Sequence, residues 1–345
     1  MHCDTINKKI VEWSDTLNYI GSKLSLIDFL VESVEQIIGN ETGVFADLFA
    51  GTGIVGSTFK KKGFEVIAND IQHYSYVLNK HYIENSENID DSVLSLLNSL
   101  SGLEGFVYKN YCMGSGSQRN YFTDINGKKC DAIRTEIEAL YRQGNISENQ
   151  YYYLLASLIN SIDKYANTAS VYGAFLKHTK KSALKEFMLE LLPIVEGERG
   201  TVYNDDVNNI ISGIKGDVLY LDPPYNARQY CTNYHVLESI SRYDNPALFG
   251  KTGLRAYDGQ RSKYCSARTV ESSFDDLMSK ANFKYIFLSY NNEGLMSFDT
   301  IRAIMSKYGK YEMFEKEHHR FRADKEENRN HKASKTTEYL HCLVK

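Results

Sequence analysis

Between Lys23 and Ile38 the chain reads KLSLIDFLVESVEQII, with Ile27, Leu30, Val31, Val34 and Ile38 at helical spacing. Gly39 and Asn40 follow, and glycine and asparagine commonly end a helix. Next comes VFADLF, a short apolar run between Gly43 and AGTG, which predicts a buried strand. Ile54 to Lys62 predicts a helix that starts on the glycine turn. FEVIAND, Phe64 to Asp70, predicts a second strand ending in an acid, and a tyrosine-rich helical stretch runs on to about Tyr82. Strand, glycine turn, helix and strand make a βαβ unit, which implies a parallel sheet in an α/β fold.

Strand patterns then stop for more than a hundred residues. Residues 90–198 carry mostly helical patterns, among them CDAIRTEIEALYRQ and NQYYYLLASLINSIDKYAN, and a polar loop, YKNYCMGSGSQRNYF. Strands return at TVYND (201–205), DVLYLD (217–222) and KYIFLSYN (284–291). Two more, YEMFEK and TEYLHCLV, close the chain around a charged loop. The pattern predicts one α/β sheet formed by residues 1–88 and 199–345, interrupted by a mostly helical insertion over 89–198.

With 345 residues the chain can bury a sizeable core, and 42% apolar against 24% charged residues excludes a disordered or fibrous protein. No apolar run approaches 18 residues and the opening MHCDTINKKIVEWSD has no apolar signal core, so a soluble, cytoplasmic protein without a membrane partner is expected. Six scattered cysteines form no CxxC pair, which signals neither a zinc knuckle nor a disulfide framework. A net charge of −4 argues against a wholly basic nucleic-acid coat but allows a local basic face. Proline changes the picture most. The chain has four, and two of them, Pro223 and Pro224, stand together directly after a strand in LYLDPPYN.

Two stretches carry chemistry. Gly51-Thr52-Gly53-Ile54-Val55-Gly56 is a GxGxxG turn between a strand and a helix, and Asp70 ends the next strand, 19 residues after Gly51. Small residues admit a nucleotide-like ligand, and the acid can accept both ribose hydroxyls. NAD, FAD and S-adenosylmethionine all suit such a turn. Asp47, on the strand itself, suits a cationic amino-acid moiety better than a pyrophosphate. In the second stretch Asp222 ends a strand, the Pro-Pro turn fixes the backbone, and Tyr225 follows as a flat wall. The Asp222 carboxylate and the Pro223 carbonyl offer two acceptors for an exocyclic amine, and Tyr225 a surface on which its base can stack.

DLFAGTG and DPPY, preceded by NYIGSK, resemble the D12-class adenine-specific DNA methyltransferases. The order of the motifs resembles the Dam-like α group, in which the long insertion is the target-recognition region. ARQYCTNYHVLESI and LSYNNEG resemble the methylases paired with type IIS restriction enzymes. The resemblance implies a class I, Rossmann-like methyltransferase sheet with an inserted helical target-recognition domain. It also implies S-adenosylmethionine as cofactor and double-stranded DNA as substrate. By motif, Tyr19 and Lys23 match the N-terminal cofactor pair, and Asp47, Phe49, Gly51 and Gly53 the methionine-side loop. Asp70 matches the ribose acid, and Asp206 the acid near the cofactor's adenine, with Asp205 beside it as the alternative register. Asp222, also a cofactor neighbour, forms the catalytic motif with Pro223, Pro224 and Tyr225. Ser22 stands where many members have glycine, and Tyr19 where many have Trp.

The chemistry of the residues agrees. The N6 lone pair of adenine is delocalised into the ring, and acceptors for both N6 hydrogens favour a pyramidal, nucleophilic nitrogen. Cytosine C5 methylation needs a thiol, typically in a Pro-Cys pair, and none of Pro193, Pro223, Pro224 and Pro246 precedes a cysteine. The expected function is N6-adenine methylation of duplex DNA in a restriction–modification system, beside a cognate endonuclease or a second methylase. An N-methyltransferase of RNA or protein amides, or an inactive DNA-binding subunit, are the alternatives. For DNA contacts the sequence offers Lys251, Arg255, Arg261, Lys263 and Arg268, and a loop mixing Lys109, Asn110, Tyr111, Arg119, Asn120 and Tyr121. His318 and His319 have no third ligand at metal spacing, so no metal is expected.

Overall fold

The computed structural model describes Leu17, residues 19–319 and residues 335–345. The first half of the chain folds as α1 (Ile27–Ile38), β1 (Val44–Asp47), α2 (Ile54–Lys61), β2 (Glu65–Asn69), α3 (His73–Asn79), α4 (Asp91–Ser99), α5 (Phe106–Tyr111), α6 (Asp124–Arg142) and α7 (Glu148–Lys164). Then come β3 (Thr201–Tyr203), α8 (Val207–Ile210), β4 (Lys215–Leu221), α9 (Tyr230–Asn233) and α10 (His235–Arg242). A two-residue hairpin, β5 (Leu248–Phe249) and β6 (Leu254–Arg255), precedes α11 (Val270–Lys280), β7 (Asn282–Asn291), α12 (Phe298–Met305), β8 (Lys310–His319) and β9 (Lys335–Val344).

Seven strands form one sheet in the order β3-β2-β1-β4-β7-β9-β8. The pairs from β3 through β7 are parallel, and β9 runs antiparallel between β7 and β8. This is the Rossmann-like class I sheet that the resemblance implied. The chain order reverses between β1 and β4, and the crevice beyond the carboxyl ends of strands at such a switch point is where open α/β sheets bind ligands. Both faces of the sheet are covered, which is why β4 reads as a continuous apolar run. Val218 and Tyr220 pack with Phe45, Phe59 and Val66 on one face. Leu219 and Leu221 pack with Ala46, Phe283 and Ile286 on the other.

The insertion shares the first of these cores. Leu154, Leu155, Leu158 and Ile159 of α7 belong to the same apolar cluster as Phe45 and Val66. The side chain of Thr123 caps α6, and Ser147 with Gln150 forms a capping box on α7. The helical pattern expected to run on to residue 198 ends at Lys164, and residues 165–200 contain no helix or strand. Helix side chains take over the backbone partners there. Phe187 N–H donates to Asn126 Oδ1 (2.9 Å), Leu189 N–H to Asn98 Oδ1 (2.9 Å) and Leu192 N–H to Ser157 Oγ (3.1 Å). A segment whose polar backbone is satisfied in this way can bury Phe187, Leu189, Leu192 and Val195 without forming a helix.

Candidate active site

At the end of β1 the backbone turns through Gly51 (φ 51°) and Gly53 (φ 80°), a left-handed conformation that L side chains adopt at a cost. Gly53 is the N-cap of α2, and a Cβ there would lie 2.9 Å from Asn79 Oδ1; one on Gly51 would meet the Tyr19 ring at 3.3 Å. Asp70, just beyond β2, accepts from Gly51 N–H through Oδ2 (2.9 Å) and from Gln72 N–H through Oδ1 (2.8 Å). Burial nevertheless raises its carboxyl to about 6. Asp47 is buried. Its Oδ2 accepts from Gly56 N–H at 3.2 Å and its Oδ1 has no hydrogen-bond partner. Burial first, and the nearby Asp222 charge second, raise the Asp47 carboxyl to about 8.

Asp222 follows β4 and is wired to two residues. The ammonium of Lys23, itself only 4% exposed, lies 3.0 Å from Asp222 Oδ1, and the Tyr225 hydroxyl donates to the same oxygen at 2.7 Å. Lys23 also donates to the Tyr225 hydroxyl at 2.6 Å. Asp222 Oδ2 takes part in no hydrogen bond among the described residues. The Tyr225 ring sits 5.0 Å from that of Tyr290, and its backbone carbonyl accepts from Leu295 N–H at 2.9 Å. Tyr290 of LSYNNEG and Leu295 just after it thus hold the DPPY turn.

A cleft of about 910 Å³, open on one side, joins the two stretches. Tyr19, Lys23, Asp47, Phe49 and Gly51 line it, together with Asp70, Asp206, Asp222 and Pro224. Gly53, Pro223 and Tyr225 do not form its wall: Gly53 starts α2, Pro223 is buried, and Tyr225 is half-buried behind Asp222. Both registers of the adenine-side acid reach the cleft. Asp206 Oδ1 caps α8 through Asn208 N–H (3.0 Å), while Asp205 Oδ1 accepts from Asp206 N–H (2.6 Å). Sequence reading missed Gln72, Tyr230, Ser262 and Tyr264, which also line the cleft, as does Lys263, which was offered for DNA contact instead. Tyr264 meets Phe49 edge to face at 5.0 Å, and the Lys263 ammonium lies 3.4 Å from Asp206 Oδ2. Only their three-dimensional neighbours mark these residues, apart from Tyr230, which sits inside ARQYCTNYHVLESI.

Several side chains offered for DNA contact are engaged inside the protein. Tyr111 and Tyr121 are fully buried and donate to the carbonyls of Gly253 (3.2 Å) and Thr252 (3.1 Å). Arg119 donates to the carbonyls of Gly250 and Lys251, both at 3.2 Å, and of Asn110 at 3.1 Å. Asn110 and Asn120 donate to the carbonyls of Phe106 and Leu176, and Arg255 forks onto Asp244 at 2.9 and 2.6 Å. Arg261 pairs with Asp258 at 3.6 Å. Arg261 nevertheless stays exposed, as do Lys109, Lys251, Lys263 and Arg268. Residues 320–334 of the charged C-terminal loop lie outside the described residues. Among the described residues no three His, Cys, Asp or Glu side chains cluster as a metal site, and no helix is long and apolar enough to cross a membrane.

The D12 class N6 adenine-specific DNA methyltransferase family matches residues 19–304. The chain is 54% identical over 334 residues to the type II methyltransferase M.NlaIII of Neisseria lactamica, covering 95% of this chain and 99% of that protein. It is 38% identical over 342 residues to M.FokI of Planomicrobium okeanokoites, covering 95% of this chain and 53% of the relative. It is 36% identical over 318 residues to M.CviAII of Paramecium bursaria Chlorella virus 1, covering 89% and 93%. The chain therefore spans nearly the whole of the first and third relatives and about half of the second.

Proposed function

The chain belongs to the D12 class of N6 adenine-specific DNA methyltransferases, and on that premise we propose which residues do the work and beside which partners. It methylates adenine N6 at a specific DNA site with S-adenosylmethionine as donor, as a restriction–modification methylase. In our reading it acts on duplex DNA in the cytoplasm, and protects host DNA beside a cognate endonuclease or a second methylase at the same site. The insertion at 89–198 is the target-recognition region.

The cleft suits the donor on three counts. The buried, unpartnered Oδ1 of Asp47 is uncompensated until a cation approaches, which fits the amino-acid ammonium. The backbone at Gly51 admits a close ligand, and Asp70 stands within reach for a ribose. Asp205 and Asp206 line the adenine side. When bound, S-adenosylmethionine supplies a methyl group on a positively charged sulfur. The remaining work falls to the chain. Tyr19, Phe49 and Gly51 enclose the donor, and Gly53 sets the start of α2. Lys23 and Tyr225 hold Asp222 Oδ1, which turns Oδ2 to one N6 hydrogen of the base while the Pro223 carbonyl accepts the other. The lone pair on N6 localises, and Asp222 is placed to accept the proton that N6 must lose. Pro224 stiffens the turn, and the Tyr225 ring carries the base.

The observation that carries this reading is the single cleft that unites the glycine turn, Asp70 and the Asp222-Pro224 turn at the strand-order switch. A tritium-transfer assay on duplex DNA, with mapping of the labelled base, tests it. Label should appear in N6-methyladenine, and Asp222→Ala should lower transfer at least ~10²-fold, as loss of one such electrostatic group does. Label in protein or RNA, or an active Asp222→Ala variant, would overturn it.

A further inference from the structure

Gln72 is buried, 3% exposed, and lines the cleft beside Asp70. Its two amide ends differ. Nε2 donates to the carbonyl of Gln260 at 3.2 Å, which fixes the orientation of the amide, while Oε1 has no hydrogen-bond partner. Its backbone N–H donates to Asp70 Oδ1 at 2.8 Å, so the two side chains leave adjacent points of one turn. A buried amide oxygen without a donor costs free energy, and a ligand O–H in the cleft removes that cost. Asp70 cannot play this part, because it is an acceptor itself. Each of its oxygens already takes one backbone N–H.

A vicinal ribose diol presents two O–H donors to this turn. We propose that Gln72 is a cofactor-binding residue whose side-chain carbonyl accepts one ribose hydroxyl, while Asp70 accepts the other. The inference rests on the cleft's being the S-adenosylmethionine site. It divides the diol between a carboxylate and an amide, and it gives the Gln72–Gln260 contact a purpose. Gln260 in turn donates to Glu238 Oε1 at 2.7 Å, which makes a buried amide chain behind the ribose pocket.

Calorimetric titration tests this with S-adenosylhomocysteine and its 2′-deoxy and 3′-deoxy analogues, on the wild type and on Gln72→Met. Methionine keeps the length of the side chain and lacks the acceptor. Gln72→Met should bind S-adenosylhomocysteine about tenfold more weakly than wild type, equivalent to about 1.4 kcal/mol. It should bind one deoxy analogue as well as wild type does, because the missing hydroxyl and the missing acceptor are the same contact. Unchanged affinity for the parent ligand overturns the proposal, and so does an equal loss for all three ligands. Failure of the wild type to bind S-adenosylhomocysteine at all would instead remove the cofactor reading itself. Thermal unfolding of the variant without ligand guards against a folding defect.

Discussion

Asp47 and Asp222 are two carboxylates near enough to repel each other, and the cost falls on the buried Asp47, raised to about 8 by burial and then by its neighbour. A raised carboxyl is protonated below that value, so at pH 7 the ligand-free protein carries a neutral Asp47. A ligand ammonium beside it favours the charged form, and binding must then release the proton. Titration with S-adenosylhomocysteine at pH 7 should therefore give an enthalpy that varies with the buffer's ionisation enthalpy, reporting release that approaches one proton. The release should fade above about pH 9, where Asp47 is already ionised, and should vanish in Asp47→Asn, which should also bind less tightly. An enthalpy independent of buffer at pH 7 would place the ammonium elsewhere. Which residues meet was legible at this scale wherever a motif fixed both type and position, as for Asp47, Asp70 and Asp222. The Lys23–Asp222–Tyr225 wiring was not legible, because it joins residues some 200 positions apart. Lys23 lines the cleft, yet its ammonium is held by Asp222.

The elements divide in the same way. Every strand with an apolar run was visible, because burial on both faces leaves no polar alternation to blur it. The hairpin was not, because strands of two residues carry no period. The mostly helical pattern expected over 89–198 stops at α7, and beyond it amide and hydroxyl groups on α4, α6 and α7 take the backbone partners that a helix would have supplied. The glycine turn sets a sharp test. Gly53→Ala forces a left-handed φ on alanine and presses Cβ against Asn79 Oδ1 and the Tyr82 ring, so it should cost about 1–3 kcal/mol in urea unfolding. Gly63→Ala, also at positive φ but with open space around it, should cost only the backbone part. The hairpin sets another. Arg119, Tyr121 and Tyr111 hold the carbonyls of residues 250–253 from below, which leaves Lys251 exposed at the tip. If the tip meets phosphate, Lys251→Ala should reduce the salt slope of DNA affinity by about 0.9. Arg119→Ala should weaken binding through a loosened tip while leaving that slope unchanged. Equal slope changes for both would mean that Arg119 leaves its carbonyls and reaches the DNA.

Taken whole, the sheet and residues 89–198 share one apolar core. Asp222, to which we assign the N6 contact, sits below the surface of the cleft. The Asp222 side chain is 16% exposed, Pro223 is buried, and Tyr225 is half-buried. An adenine stacked in a duplex has one N6 hydrogen committed to thymine and its ring faces covered by neighbours, so it cannot reach Asp222 Oδ2 or lie against Tyr225. The base must leave the stack, which costs a few kcal/mol, and the cost falls when its partner does not pair with it. Duplexes with a mismatch or an abasic position opposite the target should therefore bind more tightly than the normal site. Tyr225→Ala should weaken both kinds by a similar amount, about 1–3 kcal/mol by analogy with base–aromatic stacking, since the ring acts after the base has emerged. Tyr225→Phe separates two roles of that residue. It keeps the ring, so DNA affinity should hold, but it removes the hydroxyl shared by Lys23 and Asp222, so the methyl-transfer rate should fall. The decisive reading is the fluorescence of 2-aminopurine at the target position, titrated with protein and S-adenosylhomocysteine. Emission should rise as the base unstacks, and to a higher level with Tyr225→Ala, where no ring quenches it. A flat signal with the wild type, together with equal affinity for mismatched and normal duplexes, would mean that the methyl group is delivered to a base still inside the helix.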